Sequence, residues 1–205
     1  MHEEFMAACE RHRDFMDDPN AFWGWKSSPS VHILPFLREL YPGLQFVHVI
    51  RDGRDIAFGG RGSRTHTLYL ARAILDGDPT PVVHGPSARR AEVKTVLGMP
   101  EATPERQILF WNRVNVDCAD YAEREMSDSY LRVRLEDLCH SPEATIRRLV
   151  GFGGQAVEAD APVAWASSEV QTQTTIGRWK QEPPAVVAQL TQGARDGLQR
   201  FGYLS

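Results

Sequence analysis

The sequence is poor in the features that would assign it to several common classes. It has 3 cysteines, Cys9, Cys118 and Cys139, too few and too scattered for a disulfide framework, and none stands in a CxxC pair. Cys139-His140 has no second Cys/His pair to complete four ligands, so no metal site is expected; the plain reading is a partly buried thiol just after a short strand. No apolar run is long enough to cross a bilayer. The N-terminal MHEEFMAACERHRDF carries acids where a signal peptide would have an apolar stretch, so the expected location is the cytoplasm. Nor is there an excess of basic residues: the net charge is −4, which argues against a nucleic-acid partner. No internal repeat is visible.

What remains is an ordinary globular composition, 42% hydrophobic and 24% charged over 205 residues, enough for one domain with a real core. The positive charge is unevenly placed. Arg51, Arg54, Arg61 and Arg64 fall close together in an otherwise acidic chain, as a local anion site would require.

Periodicity and turn chemistry divide the chain. Residues 1–15 are helical in pattern and DDPN (17–20) breaks them. Val31, Leu34, Leu37 and Leu40 recur at helical spacing up to Pro42-Gly43. LQFVHVI (44–50) reads as a buried strand between Pro-Gly and Asp-Gly, and a helix begins near residues 54–56. THTLYLARAIL is helical in pattern and DGDPTPVVHGPS is loop, so about 60–105 forms a variable segment. A long helix follows from about Thr103 to Met126, then a strand over Tyr130–Arg134. Ser141-Pro142-Glu143 opens a helix to about Phe152. Residues 153–166 read as loop, and Pro183-Pro184 starts a last helix running to Phe201, ended by Gly202. This order predicts a single α/β domain over 1–205, a parallel sheet flanked by helices, although only two strands are evident.

The chemistry concentrates at HVIRDGRDIAF (48–58). Arg51 leaves the carboxyl end of a strand, where α/β folds bind ligands. The Asp-Gly step permits a tight turn, and the N–H groups at the next helix start favour an anion. A guanidinium there can hold two phosphate oxygens at once. On spacing alone a second reading stands equally: Arg51, Asp52, Arg54 and Asp55 pair with one another as a capped turn.

WGWKSSPSVHILPFLRELYPGLQFVHVIRDGRDIAF, followed by YLRVRLEDLCHSPEATIRRLVGFGG, TIGRWK and RFGY, resembles the bacterial sulfotransferases that use 3′-phosphoadenosine 5′-phosphosulfate. The likeness spans most of residues 22–203 apart from 76–102. It implies a P-loop-NTPase-like sulfotransferase fold and transfer of a sulfuryl group to a hydroxyl or amine of a small-molecule or glycan acceptor, with no metal. It also implies that Arg51 holds the donor's 3′-phosphate and that Asp55 braces the turn. Lys26 would stand near the transferring group, stabilising charge on the bridging oxygen. Arg178, Trp179 and Lys180 would close over the donor's phosphate and adenine side, although Trp179 also reads as an anchor for the last helix. Trp23, Trp25 and Trp111 read as core.

The resemblance has gaps. The family's PKSGTT-type loop for the 5′-phosphosulfate, expected well before WGWK, has no counterpart among the 22 residues before Trp23, which predicts an N-terminally incomplete fold. GGRGSRT (59–65) has the composition of such a loop but follows a turn rather than a strand. Gly59 occupies the position of a serine that assists at the 3′-phosphate, so that hydroxyl is missing. Ser28 replaces a catalytic histidine; of the nearby histidines, His48 reads as packed within the strand and His32 as exposed on a helix. Leu135 replaces an aromatic before Glu136-Asp137. The alternative expectation is a non-catalytic module that binds phosphoadenosine or another anion, or an interaction protein that oligomerises through an uncovered sheet edge.

Overall fold

A computed structural model describes residues 24–59, 103–154, 160–170 and 175–204. The helical patterns at 1–15 and in THTLYLARAIL, and the loop at 76–102, lie outside these residues. The described chain is mixed α/β and mostly helical, with a small parallel sheet of two strands.

A 3-10 turn over Ser28–His32 leads into α1 (Leu34–Leu40), which buries Leu34 and Leu37. β1 (Phe46–Ile50) and α2 (Gly53–Ala57) follow. The long helix α3 (Pro104–Glu125) is started by Thr103, whose hydroxyl accepts the Arg106 N–H, and by Pro104 in the first turn. It buries Ile108, Trp111, Val114, Cys118, Ala119 and Ala122, a 3–4 spacing that lays one stripe against the sheet. A short 3-10 turn, Ser127–Ser129, turns the chain into β2 (Tyr130–Arg134). Then come α4 (Leu135–His140), α5 (Pro142–Phe152) and α6 (Asp160–Glu169). A 3-10 segment over Arg178–Gln181 precedes α7 (Pro184–Gly193) and α8 (Arg195–Arg200).

β1 and β2 pair in parallel from Phe46↔Tyr130 to Ile50↔Arg134. His48 and Ile50 point inward and are buried, whereas Val47 and Val49 point outward and are 36% and 57% exposed. Among the described residues β1 is therefore covered on one face, whereas its apolar run reads as a buried strand. Two clusters fill the interior. Ile50, Ala57, Ile108, Trp111, Leu190, Leu198 and Phe201 join β1, α2, α3 and the last two helices. Leu34, Cys118, Ala122 and Met126 join α1 to the carboxyl half of α3. Tight contact of α2 with α3 depends on Gly53, because a Cβ there would run into the Trp111 ring.

Three expectations are corrected. Residues 160–166, read as loop, belong to α6. The final helix is two helices, interrupted at Ala194 (φ −123°, ψ 26°); the break lets α8 turn its Gly197 N–H onto Asn112 Oδ1 at 2.8 Å. His32 is buried, not exposed, because the 3-10 turn lays its ring against Phe110 with centroids 5.9 Å apart.

Candidate functional site

β1 ends at Ile50 and the chain turns through Arg51 and Asp52 into α2. Asp52 is the N-cap: its Oδ1 accepts the Arg54 N–H at 2.9 Å, and the Arg54 side chain folds back to donate to Oδ1 (Nε, 3.0 Å) and Oδ2 (Nη2, 2.7 Å). Both side chains are buried. The Asp52 N–H in turn donates to Glu136 Oε1 at 2.9 Å. Glu136 Oε2 accepts the Tyr203 hydroxyl at 2.8 Å, and burial together with the Glu136 charge pushes the Tyr203 pKa up. Two N–H groups at the start of α2, those of Asp52 and Arg54, are thus taken by the chain's own carboxylates, and the capped-turn reading describes Asp52 and Arg54.

Asp55 performs a different task. Its Oδ2 accepts the Gly177 N–H at 2.7 Å and its Oδ1 the Trp179 N–H at 3.2 Å, so one carboxylate draws the late TIGRWK segment onto the turn. Gly177 has φ +77°, a left-handed conformation that brings two N–H groups of the segment toward one side chain. Trp179 then lies against Arg54, whose guanidinium carbon is 3.8 Å from the ring centroid. Lys180 extends past the same ring and is exposed.

Arg51 is the member of the turn left with spare donors. Its Nη2 donates to the Thr175 carbonyl at 2.5 Å and lies 3.7 Å from Asp55 Oδ2. Its Nε is buried and donates to nothing among the described residues. Arg178 Nε reaches the same Thr175 oxygen at 3.4 Å. Two guanidinium groups converge on one neutral oxygen, while the nearest carboxylate spends both its oxygens on backbone N–H groups.

The fold therefore brings Arg51, Arg178, Trp179 and Lys180 together. Gly59 closes the far end of α2 through a 2.9 Å bond to the Ile56 carbonyl. Lys26 makes no hydrogen bond to these residues: it is exposed, and its Nζ lies 3.5 Å from Ser28 Oγ. Reading the sequence did not single out Thr175, Glu136 or Tyr203 as parts of this turn. The signal for Glu136 was its position directly after β2, alongside the end of β1.

His48 lies behind the turn. Asn115 Nδ2 donates to the Trp111 carbonyl at 2.7 Å, which turns Asn115 Oδ1 toward His48 Nε2 at 2.9 Å. Nε2 must therefore carry the proton, and Nδ1 accepts the Tyr130 hydroxyl at 3.0 Å. Burial lowers the His48 pKa to about 4. With its proton and its lone pair both committed inside the core, His48 is a packing group and not a base. Cys118 is likewise inert, its thiol pushed up to about 12 by burial.

Among the described residues no helix is long and apolar enough to cross a membrane, and no group of three or more His, Cys, Asp or Glu could hold a metal ion. No protein-family model matches the chain, and no curated protein or solved structure matches it. The class defined by fold and site is thus a mostly helical α/β protein with an arginine-bearing turn at the carboxyl end of a parallel strand.

Proposed function

We propose that the chain holds a phosphate-bearing nucleotide at Arg51, and that it is a sulfotransferase-type protein of P-loop-NTPase-like fold whose donor is 3′-phosphoadenosine 5′-phosphosulfate. The observation that carries the reading is the meeting of Arg51 and Arg178 on the single oxygen of Thr175, beside a buried Arg51 Nε that has no partner among the described residues. A tetrahedral dianion offers several oxygens to such a fork, where a carbonyl offers one. The residues fit the 3′-phosphate end of the donor, with Trp179 a flat neighbour for its nucleoside. In the reaction an acceptor hydroxyl or amine bonds to sulfur as the bond from sulfur to the bridging phosphate oxygen breaks. Adenosine 3′,5′-bisphosphate leaves and the acceptor's proton passes to solvent. Lys26 would stabilise charge on the departing oxygen.

Calorimetry with adenosine 3′,5′-bisphosphate and with adenosine 5′-monophosphate tests the binding half. The bisphosphate binds the wild type, the monophosphate binds more weakly, and Arg51→Ala loses about 10- to 100-fold in affinity, the worth of a charge-assisted pair of hydrogen bonds. Equal affinity for the two nucleotides, or no effect of Arg51→Ala, rejects the reading.

A second reading, binding without transfer, is favoured by Lys26, which among the described residues hydrogen-bonds Ser28 and no residue of the turn. Transfer of labelled sulfate from the donor to a panel of phenolic, sugar and amine acceptors decides between the two. Nucleotide binding with no labelled product leaves the module reading.

A further inference from the structure

We propose that Tyr203 is a positioning residue of the nucleotide site: it fixes the turn that carries Arg51 and so sets the preference for a nucleotide bearing a 3′-phosphate. This deepens the reading given above and rests on it. Arg51 can grip a phosphate in one geometry only if its own stretch of backbone is held still. Two side chains distant in sequence hold it. The Arg51 carbonyl accepts the Trp111 indole N–H at 3.0 Å, and the Asp52 N–H donates to Glu136 Oε1 at 2.9 Å. Tyr203 touches both supports. Its hydroxyl donates to Glu136 Oε2 at 2.8 Å and lies 3.3 Å from the Ile50 carbonyl. Its ring meets the Trp111 ring edge-on with centroids 6.3 Å apart, and its own carbonyl accepts Arg54 Nη2 at 3.1 Å. One residue thus contacts Ile50 and Arg54, on either side of Arg51 and Asp52 in the chain, together with the two side chains that hold Arg51 and Asp52 themselves.

The end of α8 aims the residue. Gly202 has φ +76°, its N–H donates to the Gln199 carbonyl at 3.1 Å, and the Tyr203 N–H donates to the Leu198 carbonyl at 2.7 Å. This pair of bonds is a Schellman cap, which ends a helix at a left-handed glycine and fixes the direction of the residue that follows. Arg134 holds the same place: its Nη1 donates to the Gly202 carbonyl at 3.0 Å, and its guanidinium carbon lies 4.8 Å from the Tyr203 ring centroid. Packing alone would ask only for an apolar ring here. The hydroxyl does more, because the carboxylate it reaches is buried and is itself bonded to the turn. Tyr203 therefore acts on Arg51 through these neighbours and not as a ligand of the nucleotide.

The experiment measures, by calorimetry, the ratio of affinities for adenosine 3′,5′-bisphosphate and adenosine 5′-monophosphate in the wild type, Tyr203→Phe, Gly202→Ala and Met126→Ala. Tyr203→Phe keeps the ring and deletes the hydroxyl. Gly202→Ala keeps the hydroxyl and spoils its aim, because alanine is strained at φ +76° and its Cβ would come within 3.1 Å of Arg134 Nη1. Met126→Ala opens space in the cluster that joins α1 to the carboxyl half of α3, and controls for lost stability alone. The expected result is a ratio lowered about tenfold in Tyr203→Phe and in Gly202→Ala, the scale on which a lost outer partner weakens a charged site. The fall comes from weaker bisphosphate binding, while monophosphate affinity and the Met126→Ala ratio stay at wild-type values. A Tyr203→Phe ratio equal to that of a wild type that prefers the bisphosphate overturns the positioning role and leaves the phosphate site standing. Equal loss of both nucleotides in Tyr203→Phe, or a ratio that falls as far in Met126→Ala, assigns the effect to general loosening and likewise overturns it. A wild type that does not distinguish the two nucleotides removes the phosphate site and the positioning role together.

Discussion

The indole N–H of Trp111, in the middle of the long helix α3, donates to the backbone carbonyl of Arg51 at 3.0 Å. The peptide that carries the site's arginine is therefore fixed by a side chain from a helix 60 residues away in sequence. The same ring packs against Phe201 and Tyr203 with centroids 5.8 and 6.3 Å apart. Trp111→Phe removes the donor and part of the ring. The expected loss is about 2–3 kcal/mol of stability in urea unfolding, with weaker bisphosphate binding because Arg51 loses its fixed origin.

Glu136 joins the turn to the last residues of the described chain. Glu136→Ala leaves the Asp52 N–H without its acceptor and the Tyr203 hydroxyl with only the longer 3.3 Å contact to the Ile50 carbonyl, and the loss should be about 2–4 kcal/mol. Tyr203→Phe removes a single donor and should cost about 1–2 kcal/mol. The double variant should cost less than the sum, since the two changes delete one shared bond. Strict additivity in urea midpoints would show that the hydroxyl and carboxylate are not coupled.

His48 sets a pH dependence. An unfolded histidine takes up a proton near pH 6.5, whereas the folded group resists until about pH 4. The unfolded state therefore binds more protons throughout that window. Stability is full above pH 6.5 and falls with decreasing pH until the folded group protonates, by about 1.4 kcal/mol per unit and about 3 kcal/mol in all. His48→Gln should flatten the slope of unfolding free energy between pH 6.5 and 4.5; an unchanged slope would assign the acid sensitivity to other groups.

Much of this framework is legible in the sequence, and the residues say why. β1, β2, α3 and α5 carry their own local signals: β-branched runs for the strands, a Thr-Pro start for α3, a Ser-Pro start for α5. Ser141 does stand at the N-cap of α5, although its side chain makes no capping bond. The turn's partners are a different matter. Thr175 lies 124 residues from Arg51, and Glu136 lies 84 from Asp52. No local pattern records such pairings. The Gly193-Ala194 step was a signal for the break between α7 and α8, but two prolines upstream and Gly202 downstream framed a continuous helix. The burial of His32 depends on Phe110, a neighbour supplied by α3 alone.

Gly53→Ala tests how closely α2 lies on α3. The added methyl would enter the space of the Trp111 ring, and overpacking of this kind costs about 1–3 kcal/mol. A thermal midpoint equal to wild type would mean that α2 moves away freely. Because Arg51 precedes that helix and Asp55, which holds the Gly177 and Trp179 N–H groups, lies within it, displacement should also raise tryptic cleavage after Lys180.

Lys26→Ala offers the contrast. The residue is exposed, so the unfolding free energy in urea should change by less than about 0.5 kcal/mol. Bisphosphate affinity should stay unchanged, and any sulfuryl-transfer rate should fall. A loss of affinity equal to that of Arg51→Ala would bring Lys26 into the nucleotide site.

The parallel register of β1 and β2 has a consequence for how the chain reaches this state. Phe46 cannot meet Tyr130 until the whole intervening stretch has been synthesised and its loop closed, an entropic cost paid before the pairing returns any energy. Glu136 arrives soon after, but the hydroxyl that shares its charge belongs to Tyr203, 67 residues later. During synthesis the strand end therefore spends an interval with a carboxylate headed for burial that has the Asp52 N–H for one oxygen and not yet the Tyr203 hydroxyl for the other. Nascent-chain folding should be late and nearly all-or-none, completed by the arrival of a single tyrosine.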